Sequence, residues 1–319
     1  MHQIPCLLLV VSATAAAAGE AYAFRVVASG LNAPTGIAVD RWTAYVSEVP
    51  TPGVPGSQGG RNGIIAINQT SGKVRDLHRG EPEPLNLALT WDRSLYWTCR
   101  TAGVILKLDL DDPNGQPTPY LTGLKNPTGI ASFCPIWAPT TLVFTEVATP
   151  GQPNPANRVM RISPARTDFS YDQAQIPAFA FLASENDDGD PYPADVAIGS
   201  EGIYWTCKSA GVIVMRDRAK PYRKTVIARG LSQPTGIDID IHGRSLYFTE
   251  VPTPGRAGSA GGSNRVSRLD LKTKAVTIVH SGDPQPTDVA VTPDGRILWT
   301  CTSAGVVVEA KVIPPKPKK

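Results

Sequence analysis

The sequence predicts an all-β fold, a six-bladed β-propeller made of three tandem two-blade repeats, and three observations carry that prediction. Gly and Pro account for 29 and 30 of the 319 residues, well above the usual combined share of ~12%, and they follow no collagen-like period. Three long segments repeat one another, and each of them halves again. The six resulting units are roughly 49 residues long, matching the period of about 40–50 residues expected of four-stranded propeller blades.

The chain opens on residues 4–18, an apolar and small-residue run followed by Ala21-Tyr22-Ala23. This is the pattern of a secretory h-region with an A-x-A cleavage site, although His2 stands where Lys or Arg is usual. Residues 1–23 are therefore read as an export signal, residues 24–313 as one propeller, and residues 314–319 as a Pro/Lys-rich tail. The expected location is outside the cell, or the periplasm if the source is bacterial. Cys6 leaves with the signal, so Cys99, Cys134, Cys207 and Cys301 remain.

The repeats follow in order. The first contains Pro34-Thr35-Gly36-Ile37, Ser47-Glu48-Val49-Pro50, Leu95-Tyr96-Trp97-Thr98-Cys99 and Ala102-Gly103-Val104. Its second copy reads Pro127-Thr128-Gly129-Ile130, Thr145-Glu146-Val147-Ala148, Ile203-Tyr204-Trp205-Thr206-Cys207 and Ala210-Gly211-Val212. The third reads Pro234-Thr235-Gly236-Ile237, Thr249-Glu250-Val251-Pro252, Leu298-Trp299-Thr300-Cys301 and Ala304-Gly305-Val306. Each copy splits, because Pro34-Thr35-Gly36-Ile37 resembles Pro286-Thr287-Asp288-Val289 and Tyr247-Phe248-Thr249-Glu250 resembles Tyr204-Trp205-Thr206-Cys207. Within the fifth unit, short β-branched and aromatic runs predict strands over residues 236–240, 245–251, 264–271 and 275–280, with turn residues between them. The turn pairs are His242-Gly243 there and Asp294-Gly295 in the sixth unit.

The chain ends after a third strand, residues 305–312, in the last unit. Residues 24–31 resemble 225–231, the fourth strand of the fourth unit. The N-terminal strand is thus expected to complete the last blade, close the ring and pair an otherwise bare edge. Formal charge is +3, and Lys316, Lys318 and Lys319 sit in the tail. The near-neutral body argues against a nucleic-acid footprint. No stretch after the leader is apolar for the ~20 residues of a membrane helix.

Pro34-Thr35-Gly36-Ile37-Ala38-Val39-Asp40 resembles the opening of an NHL blade, and Tyr-Trp-Thr-Cys resembles a YWTD blade with Cys for Asp. Both imply a six-bladed propeller, alongside the SMP-30/gluconolactonase and strictosidine-synthase-like groups. The fold hosts binders and hydrolases alike. The resemblance implies that the loops leading into the inner strands share one face with the loops between second and third strands. That face would carry the Gly-acid-Pro loops at 80–86, 189–195 and 282–288. It would also carry the long odd-blade loops that begin at Glu48, Glu146 and Glu250.

One reading is an acidic funnel in which Asn86, Asp195 and Asp288 supply hard oxygens to Ca²⁺. The other is turn chemistry, since Asp and Asn before a strand commonly bond nearby backbone. Residues 185–190 form a further acidic loop without full EF-hand spacing. In SMP-30-like hydrolases a Glu, an Asn and an Asp hold a divalent cation. The position expected to supply the Asn or Asp ligands here carries Thr35, Thr128 and Thr235, a departure from that pattern. These threonines, with Glu48, Glu146 and Glu250, are the candidate ligand-binding residues.

Cys99, Cys207 and Cys301 are repeat-equivalent, but alternate blades hold second strands too far apart for a metal ring or disulfide. They are expected to pack between blades, as are Trp97, Trp205 and Trp299. Cys134 has no evident partner. No Gly-x-Ser-x-Gly elbow, His-Glu-x-x-His or P-loop appears, and His78, His242 and His280 do not suggest a triad. Asn68-Gln69-Thr70 is a glycosylation sequon in an expected turn. The sequence thus suggests a secreted propeller that binds an extracellular protein or small molecule. The alternatives are a Ca²⁺-dependent SMP-30-like hydrolase and a strictosidine-synthase-like enzyme.

Overall fold

The structure, a computed structural model, describes residues 20–50, 61–133, 141–147, 157–162, 181–183, 192–218, 224–252 and 264–314. Six four-stranded antiparallel sheets are formed. The first blade holds β2 (Pro34–Val39), β3 (Thr43–Glu48), β4 (Gly63–Asn68) and β5 (Val74–Arg79). The second holds β6 (Pro84–Leu89), β7 (Ser94–Cys99), β8 (Val104–Asp109) and β9 (Thr118–Leu121), and the third β10 (Pro127–Phe133), β11 (Thr141–Glu146), β12 (Arg158–Ile162) and β13 (Phe181–Ala183). In the fourth are β14 (Pro193–Ile198), β15 (Gly202–Cys207), β16 (Val212–Asp217) and β17 (Lys224–Ala228), and in the fifth β18 (Pro234–Ile239), β19 (Ser245–Glu250), β20 (Arg265–Asp270) and β21 (Val276–Ser281). The sixth joins β22 (Pro286–Val291), β23 (Ile297–Cys301) and β24 (Val306–Ile313) to the N-terminal β1 (Ala21–Ser29).

Closure is as the sequence predicts. β1 runs antiparallel to β24 from Ala21 opposite Ile313 to Ser29 opposite Val306, with a bulge between Val26 and Ala28. Arg25 and Arg296 clamp the buried Glu309 from two sides, each at 2.7 Å, and both also reach Gln69 of the first blade. Phe24 packs on His280 and Trp299, with ring centroids 4.7 and 6.3 Å away. The expected cleavage point after Ala23 lies inside β1, whose first three residues pair with Lys311, Val312 and Ile313.

The core lies between blades, and the period of two along the second strands explains it. Trp97, Trp205 and Trp299 pack within a two-blade repeat, together with Cys99, Cys207 and Cys301. The neighbouring Tyr96 and Tyr204 point the other way, into clusters shared with the next repeat through Phe144 and Phe248. The three cysteines are buried, and none of them forms a disulfide. Burial pushes the Cys99 and Cys301 thiols up, which suits inert packing. Cys134 lies outside the described residues. Each inner strand lies against those of both neighbouring blades, and β22 returns to β2.

Candidate functional site at the propeller axis

The axial site is built from an irregularity shared by all six inner strands. Their pairing with the second strands shifts register just after the leading proline, for example between Pro34 and Ile37 and between Pro286 and Val289. The freed backbone amides need other partners. One hydroxyl per second strand supplies them. Ser47, Thr98, Thr145, Thr206, Thr249 and Thr300 accept the N–H groups of Gly36, Asn86, Gly129, Asp195, Gly236 and Asp288, at 2.7–3.2 Å. Thr98, Thr206 and Thr300 also donate, at 2.6 Å, to the carbonyls of Thr128, Thr235 and Thr35 in the following blade. Ser47 does the same to Leu85. The Thr of each Tyr-Trp-Thr-Cys run is therefore an inter-blade link.

Small and acidic positions alternate around this ring. A Cβ placed on Gly129 would lie 2.5 Å from the Asp195 Cα, and one on Gly236 would lie 2.5 Å from the Asp288 Cα. Glycine in the odd blades thus makes room for the polar residue of the next blade. The Asp195 carboxylate accepts from Asn86 Nδ2 at 2.6 Å and from the Ile237 amide at 2.8 Å. Asp288 accepts from the Ile37 and Val289 amides, both at 2.8 Å. Each aspartate is 4% exposed, and the two carboxyl groups are close enough to influence one another's titration.

Burial, then repulsion from Asp288, holds Asp195 well above the usual carboxylate range. Burial pushes Asp288 up to about 7, against the pull of the two amides it receives. Burial thus favours the protonated form of the pair relative to ordinary aspartates. Asp238, on β18, accepts from the Val291 and Ile239 amides at 2.7 and 2.8 Å, and burial raises it to about 6.

Asn86, Asp195 and Asp288 form a partition bordering two axial spaces. The lower, of about 130 Å³, lies among inner-strand residues such as Val39, Leu89 and Val291, with Asp238 and Ser132, and the surface it presents is mainly polar. The upper, of about 150 Å³, is ringed by Thr35, Thr128, Thr235 and Thr287, with Tyr192, Arg100 and Lys208. Arg100 pairs with the buried Glu83. Burial lowers the Lys208 amine, and no carboxylate among the described residues pairs with it.

The structure therefore brings Asn86, Asp195 and Asp288 together on the axis and sets Thr35, Thr128 and Thr235 above them. It does not bring Glu48, Glu146 and Glu250 there. Each of those carboxylates is buried and accepts a backbone amide at 2.7 Å, from Asn32, Lys125 and Ser232 respectively. Each also pairs with an arginine, Arg79, Arg158 or Arg265, at 2.5–2.7 Å. They tie the turn before each odd-blade inner strand to an outer strand of the same blade. Asn68 is exposed at the end of β4, where its side-chain carbonyl accepts from the Thr70 and Ser71 amides at 3.0 and 2.8 Å. Most of the long loops and the acidic segment 185–190 lie outside the described residues.

Sequence reasoning missed Asp238, Arg100, Tyr192 and Lys208. Asp238 had a signal, since it interrupts the apolar run Ile237-Asp238-Ile239 where the first blade has Ile37-Ala38-Val39. Arg100 and Lys208 both follow a Tyr-Trp-Thr-Cys run, where the sixth blade has Thr302.

Ca²⁺ takes six to eight oxygen ligands. Here two carboxylates and one amide converge, each carboxylate already receives two N–H donors, and Asn86 turns its NH₂ group toward Asp195. No group of three His, Cys, Asp or Glu side chains suited to a metal occurs among the described residues. As arranged, the trio does not fit calcium.

Fold and site define a six-bladed β-propeller with a polar partition across its axis. No protein-family model and no curated protein sequence matches the chain. Solved structures do resemble it. A gluconolactonase of Xanthomonas campestris is 13% identical, covering 91% of this chain and 89% of that one, with a TM-score of 0.63. Regucalcin of Agrobacterium tumefaciens, described as a calcium-binding protein, is 13% identical over 91% and 94% of the two chains, with a TM-score of 0.63. A chain of a nidogen/laminin complex is 18% identical over 79% and 80%, with a TM-score of 0.55. At these identities the likeness establishes the fold alone. No helix among the described residues is long and apolar enough to cross a membrane.

Proposed function

We propose that this protein is an exported, non-catalytic propeller that takes a small polar molecule into the upper axial space. One observation carries the reading: Thr35, Thr128, Thr235 and Thr287, with Tyr192, Arg100 and Lys208, converge on a concave space of about 150 Å³ from all six blades. A preformed, mainly apolar pocket with a few convergent polar groups on a rigid scaffold is what small-ligand sites share. Export is supported by the apolar leader at residues 4–18. Ala194 lines the same space, so Ala194→Phe fills it without touching the hydroxyl ring. Polar metabolites that raise the melting temperature of the native protein should leave that of Ala194→Phe unchanged. A shift that persists in the filled variant, or no shift from any polar metabolite, rejects the axial site.

The calcium-dependent hydrolase is the second reading, and its support is the fold shared with a gluconolactonase and a calcium-binding regucalcin. It requires calcium to stabilise the folded state, by about 2.7 kcal/mol at a hundredfold excess over Kd. The donor set leads us to expect no change in melting temperature between chelator and millimolar Ca²⁺. A rise of several degrees, lost in Asp195→Asn with Asp288→Asn, would restore the hydrolase reading.

A further inference from the structure

The charges lining the upper space are separated along the axis. Its floor is the Asp195–Asp288 pair, and Lys208 and Arg100 stand toward the mouth. The height difference follows from strand register. Asp195 lies opposite Thr206, and Lys208 is two residues further along, about 7 Å at a strand rise of ~3.3 Å per residue. Between the ends the walls are uncharged and mainly apolar, because Thr35, Thr128, Thr235 and Thr287 turn their hydroxyls to backbone carbonyls or to neighbouring threonine hydroxyls. A ligand that is only anionic would meet Lys208 but leave a carboxyl pair beneath it. One that is only cationic would satisfy the floor and face an unpaired ammonium. Either way, one end is desolvated without a counter-ion, at a cost in affinity.

Resting on the reading that the upper space holds a ligand, we propose that this ligand is a small zwitterion, an amino acid or close analogue. Its carboxylate meets Lys208 and Arg100, and its ammonium meets Asp195 and Asp288. Size agrees, since a protein cavity of ~150 Å³ is filled by a molecule as small as benzene. Reach agrees as well. Two hydrogen bonds of about 2.8 Å, plus about 3 Å between ammonium and carboxylate, span the height between floor and mouth. The ligand supplies what each end lacks. Lys208 gains the counter-ion that no described side chain gives it, and the crowded carboxyl pair gains a cation.

The test is calorimetric titration of the whole protein with the twenty amino acids and 4-aminobutanoate. The best binder is then compared with its N-acetyl and carboxamide forms. The zwitterion should bind, and both singly charged forms should bind at least tenfold more weakly. Lys208→Met should weaken the zwitterion at least tenfold and erase its advantage over the carboxamide. Asp195→Asn with Asp288→Asn should erase its advantage over the N-acetyl form. Lys208 is only half-buried and pairs with no carboxylate among the described residues, so its variant should keep the native melting temperature; Lys208→Arg should retain most of the affinity. Equal binding of the N-acetyl form, or binding of sugars or simple carboxylates while every amino acid fails, overturns the zwitterion and leaves the ligand-binding reading standing. Binding that survives in Ala194→Phe, or the failure of every compound, overturns both.

Discussion

Asp288 and Asp238 bind protons more tightly in the folded protein than an ordinary aspartate does. Burial lifts them to about 7 and about 6, against about 3.9 in an unfolded chain. The sign follows from linkage. A carboxyl whose folded pKa is raised contributes stability that is fully present below about pH 4 and lost as pH rises through 6 to 7. The slope is up to about 1.4 kcal/mol per pH unit for each such group. Glu309 and Asp294 are held low by arginines and act oppositely below pH 4, so a variant isolates the effect. Melting curves at pH 5 and pH 8 should show Asp288→Asn gaining relative to the native protein at the higher pH. An identical pH profile for the two proteins would mean that Asp288 is not held protonated. Gly129 and Gly236 belong to the same device, since their missing Cβ atoms let the aspartates reach the axis.

The second strands are the elements that hold the ring together. Trp205 on β15 faces the third blade, Tyr204 faces the fifth, and Thr206 reaches from the Asp195 amide to the Thr235 carbonyl. Thr206→Val keeps the shape and removes the hydroxyl, leaving a buried donor and acceptor without partners. A loss of about 1–3 kcal/mol in denaturant unfolding is expected, with Thr206→Ser restoring most of it. Equal stability of the Val and Thr forms would show the link to be dispensable. The residues just before the inner strands are strained in a way that five blades share. Ala33, Glu83, Asn126, Gln233 and Gln285 all have φ between 47° and 57° although proline follows each of them. Proline favours extended backbone in its predecessor. Here the left-handed turn lets their carbonyls accept the amides that follow the second strands, as Val49 donates to Ala33 and Arg100 to Glu83.

At the scale of the molecule, stability depends on β1, which belongs to the last blade but comes first in the chain. Deleting residues 20–29 bares the edge of β24, exposes Trp299 and His280 where Phe24 now packs, and frees the Glu309 clamp. Such a chain should melt at least several degrees lower and elute as aggregate on size exclusion. A chain starting at Phe24, as export would leave it, keeps Phe24, Arg25 and the pairing from Phe24 to Ser29. It should stay monodisperse and melt close to the longer form. Aggregation of that shorter chain would place the functional start upstream of the cleavage point.

By itself the sequence determined the number of blades, the closure by the N-terminal strand and the packing of Trp97, Trp205 and Trp299 between blades. It predicted the fifth-blade strands to within two residues. These features are written locally. Tandem duplication repeats a motif, and a period of two assigns its faces without knowledge of any other segment. The sequence also named Asn86, Asp195 and Asp288 for the axis, but duplication left the extent of the site open. Duplication copied Glu48, Glu146 and Glu250 as faithfully as the axial residues, though arginines and backbone amides occupy the glutamates. Only the tertiary structure decided that Asp195 and Asp288 meet, that Asp238 lies below them and that Lys208 stands above. The physical reason is that these groups come from strands far apart in the chain, and their protonation and exposure depend on the common axis those strands enclose.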